Sequence, residues 1–458
     1  MAYFGCGRKF ALPLHMATEI TPKMDISAPS LPEVHASVRV TGAPGKWRRL
    51  LGFLGPGFLI AVGYMDPGNW ATDIAGGSKY GYTLLSVIML SNLMAILLQS
   101  LSLKLGIATE RDLAQVCREA TGRWVGFVLW IMAEVAIAAC DLAEVIGSAI
   151  ALNLLFHIPL IWGVLITGLD VLLILLLQQF GFRKVEAVVI GLIGTIVVLF
   201  GIQMVLSRPE YSLAAWSLVM PSARIVTDPG LLYIAIGILG ATVMPHNLYL
   251  HSAIVQSRDY KRTRKGRREA IWLANIDSAL ALTIALFVNA AILIVAAAVF
   301  HRSGHFEVAA IEDAYKLLSP LVGAAGASTL FAVALLASGQ NSSITGTLAG
   351  QVVMEGFVNL KVAPWLRRLI TRSIAIAPTV VVVALWGEHG TEKLLLLSQV
   401  ILSLQLSFAV VPLVIFTGSR KWMGEFVNAM WVKVLAWVTA VVIAGLNIWF
   451  LVQMLTGN

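Results

Sequence analysis

The chain has 458 residues, 58% of them hydrophobic and 13% charged, with a formal net charge of +8 and a mean hydropathy of +0.83. A soluble chain carries about 25% charged residues, so most of this one must face lipid or a buried bundle, which marks a polytopic membrane protein. At about 20 residues per span the length holds about a dozen helices in one membrane domain and excludes a large soluble domain.

Residues 1–45 mix Pro, Ser, Gly and charged residues without sustained periodicity and read as a disordered N-terminal tail, with residues 46–458 as a single transmembrane domain. The apolar patch Phe10 to Leu14 is interrupted by Pro13 and is not a signal peptide. Eleven apolar spans follow, near 50–79, 82–105, 124–155, 158–178, 185–206, 230–256, 270–300, 325–357, 370–387, 391–416 and 431–454. With alternating sides assigned, all of the 33 Lys and Arg fall on the side of the N-terminus except Lys79, Arg208, Arg224, Arg302, Lys316 and Lys393. By the positive-inside rule the N-terminus is expected in the cytoplasm and the C-terminus outside, in a multi-pass protein of the cytoplasmic membrane. The basic run Lys261 to Arg268 then reads as a topogenic loop, and no nucleic-acid partner is expected. Cys6, Cys117 and Cys140 show no metal-site spacing and imply no disulfide framework.

The first span contains Met65-Asp66-Pro67-Gly68-Asn69. Pro67 lacks an N–H and Gly68 adds backbone freedom, so the helix should break there and leave carbonyls and amides unpaired. An ionised Asp66 at the bilayer centre costs roughly 3 kcal/mol, so it needs a partner and marks a functional site. Five spans later, Gly240-Ala241-Thr242-Val243-Met244-Pro245-His246-Asn247 repeats the pattern. An odd offset makes the two broken helices antiparallel, as in an inverted repeat of two five-helix units with a substrate site at the midplane. Asp66 would repel an anion, and half-helix carbonyl ends favour a cation. Met244 is either core filling or a thioether ligand; its place before Pro245 favours the ligand, which suits transition-metal ions over Mg²⁺ or Ca²⁺.

His246 and His251 do not form a chelating pair, because five residues separate their rings by about 140° on a helix. Each is a proton carrier or a satisfied polar contact. In the third span Glu134, Asp141 and Glu144 lie roughly on one helical face and form an acidic stripe that needs a polar path. Arg367 and Arg368 are either its partners or interfacial anchors. Gly339-Gln340-Asn341-Ser342-Ser343 in the eighth span either bonds across to a broken helix or joins helices, and Gln399 in the tenth offers an amide oxygen.

Together, Asp66-Pro67-Gly68-Asn69 and Met244-Pro245-His246 in an eleven-span chain resemble the Nramp family of proton-coupled divalent metal-ion transporters, bacterial type. The resemblance implies an all-α LeuT-like fold: a 5+5 inverted repeat with discontinuous helices 1 and 6, plus an eleventh helix. It also implies a metal site on Asp66, Asn69, the carbonyls of Gly63 and Ala241, the Met244 sulfur and Gln399. The implied proton route takes Asp66, Asp141, Glu144, His246 and His251, then Glu134, Arg367 and Arg368. The expected activity is import of Mn²⁺ or Fe²⁺ with protons by a monomer in the lipid bilayer, with Co²⁺ and Cd²⁺ accepted, no cofactor and no enzymatic reaction. The alternatives are an amino-acid symporter on the same fold, against which Asp66 argues, and an intramembrane metal hydrolase, against which the absent His-Glu-x-x-His argues.

Overall fold

A computed structural model describes residues 30–32, 34–40, 45–169, 176–177, 180–324, 326–358, 364–386 and 388–456. The described residues are overwhelmingly helical, because apolar sequence inside a bilayer can satisfy its backbone only within each segment. In chain order the helices that build the bundle and its breaks are α1 (Lys46–Phe53), α2 (Pro56–Gly63), α3 (Pro67–Tyr80), α4 (Leu85–Thr109), α5 (Leu113–Ala120), α6 (Arg123–Phe156), α7 (Leu160–Gly168) and α8 (Phe182–Ser207). They continue with α9 (Pro229–Thr242), α10 (Pro245–Ile254), α11 (Arg264–Ala296), α12 (Ala327–Val358), α13 (Pro364–Trp386), α14 (Glu388–Gly418) and α15 (Met430–Thr456). Each expected span meets a helix or a broken pair; the fourth meets α7, and its positions 170–175 and 178–179 lie outside the described residues. Among the described residues seven segments are long and apolar enough to cross a bilayer, including Pro67–Thr109, Pro229–Ser257 and Arg264–His301.

The two interrupted helices pair in a sense that their halves reveal. The C-terminal half of the first, α3, packs on the N-terminal half of the sixth, α9, while α2 packs on α10. That is antiparallel pairing, with both breaks at one level. The helices α6, α11, α12 and α14 pack around these halves, so the centre is enclosed by other helices on all sides.

The start of α2 is pinned by charge. Asp277 of α11 accepts the backbone N–H of Gly55 at 3.0 Å and of Gly57 at 2.6 Å, using two of the orphan donors of a helix N-terminus. Arg258 donates to the carbonyls of Phe53 and Leu54 and pairs with Glu186 at 2.7 Å, with both side chains buried. Arg183 donates to Leu51 and Leu54 and also meets Glu186. Gly55 has φ of 143°, and a Cβ there would lie 2.4 Å from the Glu186 carboxyl carbon, so only glycine fits this corner.

Within the stretch expected as a tail over 1–45, one segment packs on the bundle. Residues 30–32 and 34–40 form a strap on the bundle face that carries the α1–α2 corner, with Leu31, Val34 and Val40 buried. Ser30 donates to Asp112 at 2.5 Å, and Ala36 N–H donates to the Gln256 carbonyl at 3.0 Å. Strand β1 (Val38–Arg39) pairs in parallel with β2 (Arg258–Asp259), the stretch that supplies the buried arginine. Composition averaged over 45 residues hid three apolar anchors spaced along a short extended piece. Residues 1–29 lie outside the described residues.

Arg258→Met leaves buried Glu186 with only the half-exposed Arg183. It should cost about 3–5 kcal/mol, because one partner of a buried pair is removed. The check is thermal unfolding in detergent, and an unchanged midpoint would show that the pair does not hold this corner. Asp112, between the spans, also accepts the Gln115 N–H; burial pushes its carboxyl up to about 6, from an ordinary 3.8, against the lowering effect of these bonds. The folded state therefore favours the neutral acid. This stabilisation is complete below the ordinary value and is lost as pH rises through 6. Wild-type stability should fall between about pH 4 and 6 more steeply than that of Asp112→Asn, as read by melting temperature across that range.

Candidate metal centre

At the first break Tyr64 and Met65 carry the chain out of α2, and Asp66 becomes the N-cap of α3 with Pro67 in the first turn. The Ala61 and Val62 carbonyls accept the N–H groups of Tyr64 and Met65, and the carbonyls of Tyr64 and Met65 find side-chain donors. Asn289 of α11 donates to Tyr64 O at 2.7 Å, while Trp70 Nε1 and Ser338 Oγ donate to Met65 O. The eighth helix therefore does reach the broken helix, through Ser338, one residue before the expected polar run; Asn341 instead donates to Val189 O.

At the second break α9 ends at Thr242, Val243 is the C-cap, and Met244 occupies the N-cap of α10. Methionine cannot accept a capping bond, and Met244 makes none. Its thioether therefore remains available in a place where Ser or Asp would normally be spent on the backbone.

The two breaks meet at one amide. Asn69 Nδ2 lies 2.6 Å from Asp66 Oδ1, 3.0 Å from Ala241 O and 3.4 Å from Gly63 O. Three oxygens thus converge on a nitrogen with two hydrogens, so the amide serves as the weak positive centre of an oxygen cage. Asp66 Oδ1 also accepts Asn69 N–H at 2.9 Å, whereas Asp66 Oδ2 and Gln399 Oε1 are buried without a hydrogen-bond partner. Such unpaired buried acceptors are costly, and a proton, a donor or a cation would satisfy them. Asp66, Ala241, Met244 and Gln399 are 0% exposed and Asn69 is 1% exposed, so the centre is sealed from both faces.

Glycines make the closure sterically possible. A Cβ on Gly68 would lie 1.8 Å from Gln399 Nε2, so the glutamine rests directly on the first turn of α3. A Cβ on Gly63 would lie 2.4 Å from Asn247 Nδ2 and 3.2 Å from Met244 Sδ. Gly63 therefore does more than lend a carbonyl. Among the described residues no three His, Cys, Asp or Glu side chains form a metal cluster, which fits a centre of one carboxylate, amides, carbonyls and a thioether.

The expected proton-route residues divide into groups. Asp141 and Glu144 are buried, and their carboxylates converge over Gly346 of α12, where a Cβ would meet oxygens at 3.2 and 2.9 Å. Glu134, half-buried toward the start of α6, accepts Trp130 Nε1 at 3.0 Å. His251 Nδ1 lies 2.9 Å from Gln99 Oε1, and Gln99 Nε2 donates to Tyr64 OH at 2.8 Å, which ties this histidine to the first break. His246 is buried beside Pro245, and its Nδ1 has no hydrogen-bond partner. Arg367 and Arg368 lie on α13, but their side chains fall outside the described residues.

The sequence reading missed Asn289, Gln99, Tyr64 and Asp73, the last a carboxylate of α3 whose Oδ2 is buried without a hydrogen-bond partner, all within 2% of full burial. An isolated amide or carboxylate within an apolar span was the available signal for three of them; a tyrosine there gives none.

Comparison with known proteins agrees with this architecture. The Nramp family model (Natural resistance-associated macrophage protein-like) matches residues 57–453. The chain is 61% identical over 429 residues to the divalent metal cation transporter MntH of Nostoc sp., covering 94% of this chain and 97% of that one. It is equally similar, over 430 residues, to MntH of Listeria innocua, covering 94% and 96%. The structure superposes on the Eremococcus coleocola manganese transporter, solved with an aromatic bis-isothiourea substituted compound, with a TM-score of 0.85, 46% identity and coverage of 92% and 90%. At 13% identity it shares a fold with Mhp1, TM-score 0.60, covering 94% and 95%, which places it among LeuT-like folds. By sequence, by broken-helix motifs and by fold, the chain belongs to the Nramp family.

Proposed function

We propose that this protein carries divalent transition-metal ions, Mn²⁺ and Fe²⁺ with Co²⁺ and Cd²⁺ also accepted, across the cytoplasmic membrane into the cell together with protons. The observation that carries this reading is the oxygen cage around the Asn69 amide, with Met244 and the unpaired oxygens of Asp66 and Gln399 in the same sealed centre. The naming of 61%-identical relatives as divalent metal cation transporters supports it, and the lysine and arginine distribution supports a cytoplasmic N-terminus. The proposed unit is a monomer in the bilayer, without a cofactor or a catalysed reaction.

In this reading the Asn69 side chain draws back and the ion enters the space among Asp66 Oδ1, Gly63 O and Ala241 O that the amide nitrogen now fills. Turning the Asn69 amide over presents Oδ1 to the ion, and Asp66 and the carbonyls of Gly63 and Ala241 are already within reach of that point. Asn289 now donates to Asn69 Oδ1 at 3.3 Å, a bond that the turned amide gives up while Asn289 keeps its bond to Tyr64 O. Asp66, Asp141, Glu144, His246 and His251 are the proposed proton carriers, with Glu134, Arg367 and Arg368 leading out. Release of the latch at the start of α2 would open the inner side, because that half-helix is held there by discrete polar contacts.

Uptake of Mn²⁺ into proteoliposomes under an imposed pH gradient tests the function. Asp66→Asn should abolish it, since the only formal charge in the cage is lost; Mn²⁺ uptake at the wild-type rate would overturn the reading. Labelled leucine uptake by both proteins would instead establish the symporter. Met244→Ala should keep Mn²⁺ uptake while Ca²⁺ becomes an effective competitor, shifting the Mn²⁺/Ca²⁺ preference by about tenfold. Competition curves measure this, and unchanged Ca²⁺ exclusion would show that selectivity lies elsewhere.

A further inference from the structure

A cavity of about 890 Å³ opens where α5 joins α6, on the face that carries the strap and α1. Its wall has two kinds of chemistry. Arg118 of α5 and Arg123 of α6 bring positive charge, while Trp124, Phe127 and Trp130 of α6 and Phe357 of α12 bring aromatic surface. Among the described residues no carboxylate lines it, and neither arginine forms an ion pair: Arg118 donates to the Glu355 carbonyl at 3.4 Å, and the adjoining Glu119 pairs with Arg111. Partial burial lowers the Arg118 guanidinium from its ordinary value; Asp112 opposes this and Arg111 adds to it, which leaves the cation short of negative charge. Trp130 is fixed by its bond to Glu134 at 3.0 Å and rests against Phe127, ring centres 5.6 Å apart, so this side of the wall stands before any ligand arrives. From the cavity an exposed apolar stripe runs deeper along α6, through Trp124, Val128, Ile131 and Val135.

We propose that this cavity binds one anionic phospholipid from the adjoining leaflet, its phosphate-bearing head between Arg118 and Arg123 and one acyl chain along the α6 stripe. A soluble anion would use the arginines alone, and a neutral lipid the stripe alone. Charge and apolar surface meet in one cavity here, and an amphiphile with a negative head matches both. Basic pockets between transmembrane helices hold such headgroups, and exposed indoles such as Trp124 belong at headgroup depth. Arginine adds a planar fork that grips phosphate oxygens in pairs. The site is separate from the metal centre, and the proposal needs only a bilayer around the helices, not the transport reading.

The test titrates the full-length protein in detergent with phosphatidylglycerol or phosphatidylcholine, and native mass spectrometry counts the lipids retained. The wild-type protein should retain one phosphatidylglycerol in preference to phosphatidylcholine. The Arg118→Gln/Arg123→Gln protein should bind it about 25-fold more weakly, about fivefold for each cation near an anionic headgroup, whereas Arg118→Lys/Arg123→Lys should keep most of the preference. Lys265→Gln/Arg268→Gln, which removes two exposed charges from the start of α11, should leave it unchanged. Thermal melts in phosphatidylcholine check the fold of each variant. If the glutamine pair melts early, Trp124→Ala, at an exposed position, carries the test, because it removes stripe surface and should also weaken retention. Equal retention of the two lipids, an equal loss of preference in Lys265→Gln/Arg268→Gln, complete displacement by millimolar inorganic phosphate, or a lipid-free dimer would each overturn the proposal.

Discussion

The rest of the structure depends on the convergence of Asp66 Oδ1, Gly63 O and Ala241 O on the amide of Asn69. A helix broken inside a bilayer exposes backbone groups to an environment that cannot hydrate them. Here two breaks solve the problem for each other: the amide of one half-helix ties its own N-cap, the end of the preceding half and the end of the antiparallel helix. Because all three partners are oxygens, the arrangement that satisfies the backbone is also the arrangement that would receive a cation. Close approach follows from this requirement, and with it the bare backbone at Gly63 and Gly68.

Both halves of the first helix are packed among other helices, and the half before the break is also pinned at its start by polar contacts. The half after the break, α3, is set among α6, α9, α11 and α14. The half before it, α2, depends at its start on Asp277, Arg183 and the Glu186–Arg258 pair. Packed apolar contact yields gradually, whereas a few directional bonds at one end can be exchanged together. The strap over residues 34–40 adds a constraint on the same corner, since β1 pairs with the residues that carry Arg258, and Val40 lies against Gly52.

Much of the centre was legible because Pro and Gly act locally. Pro67 and Pro245 break helices wherever they stand, and the charged or polar residues beside them stand out in apolar sequence. The supporting residues were not legible in the same way. Asn289 is a single polar position within a long apolar helix, Gln99 and Ser338 stand beside other polar residues, and whether each faces lipid, another helix or the centre depends on helix rotation, which neighbours decide. The buried Glu186–Arg258 pair spans 72 residues of sequence, and no spacing announces it. The strap was missed for a related reason: its anchors become apolar burial only when the bundle supplies a surface.

By itself the sequence determined the membrane class, the spans, the two breaks and the family, because each rests on composition or on local backbone chemistry. Only the tertiary structure decided which oxygens share one amide, which acceptors stay unpaired and that Gln399 lies on Gly68. Those are distances between helices far apart in the chain. They are set by packing, which depends on every surrounding side chain at once.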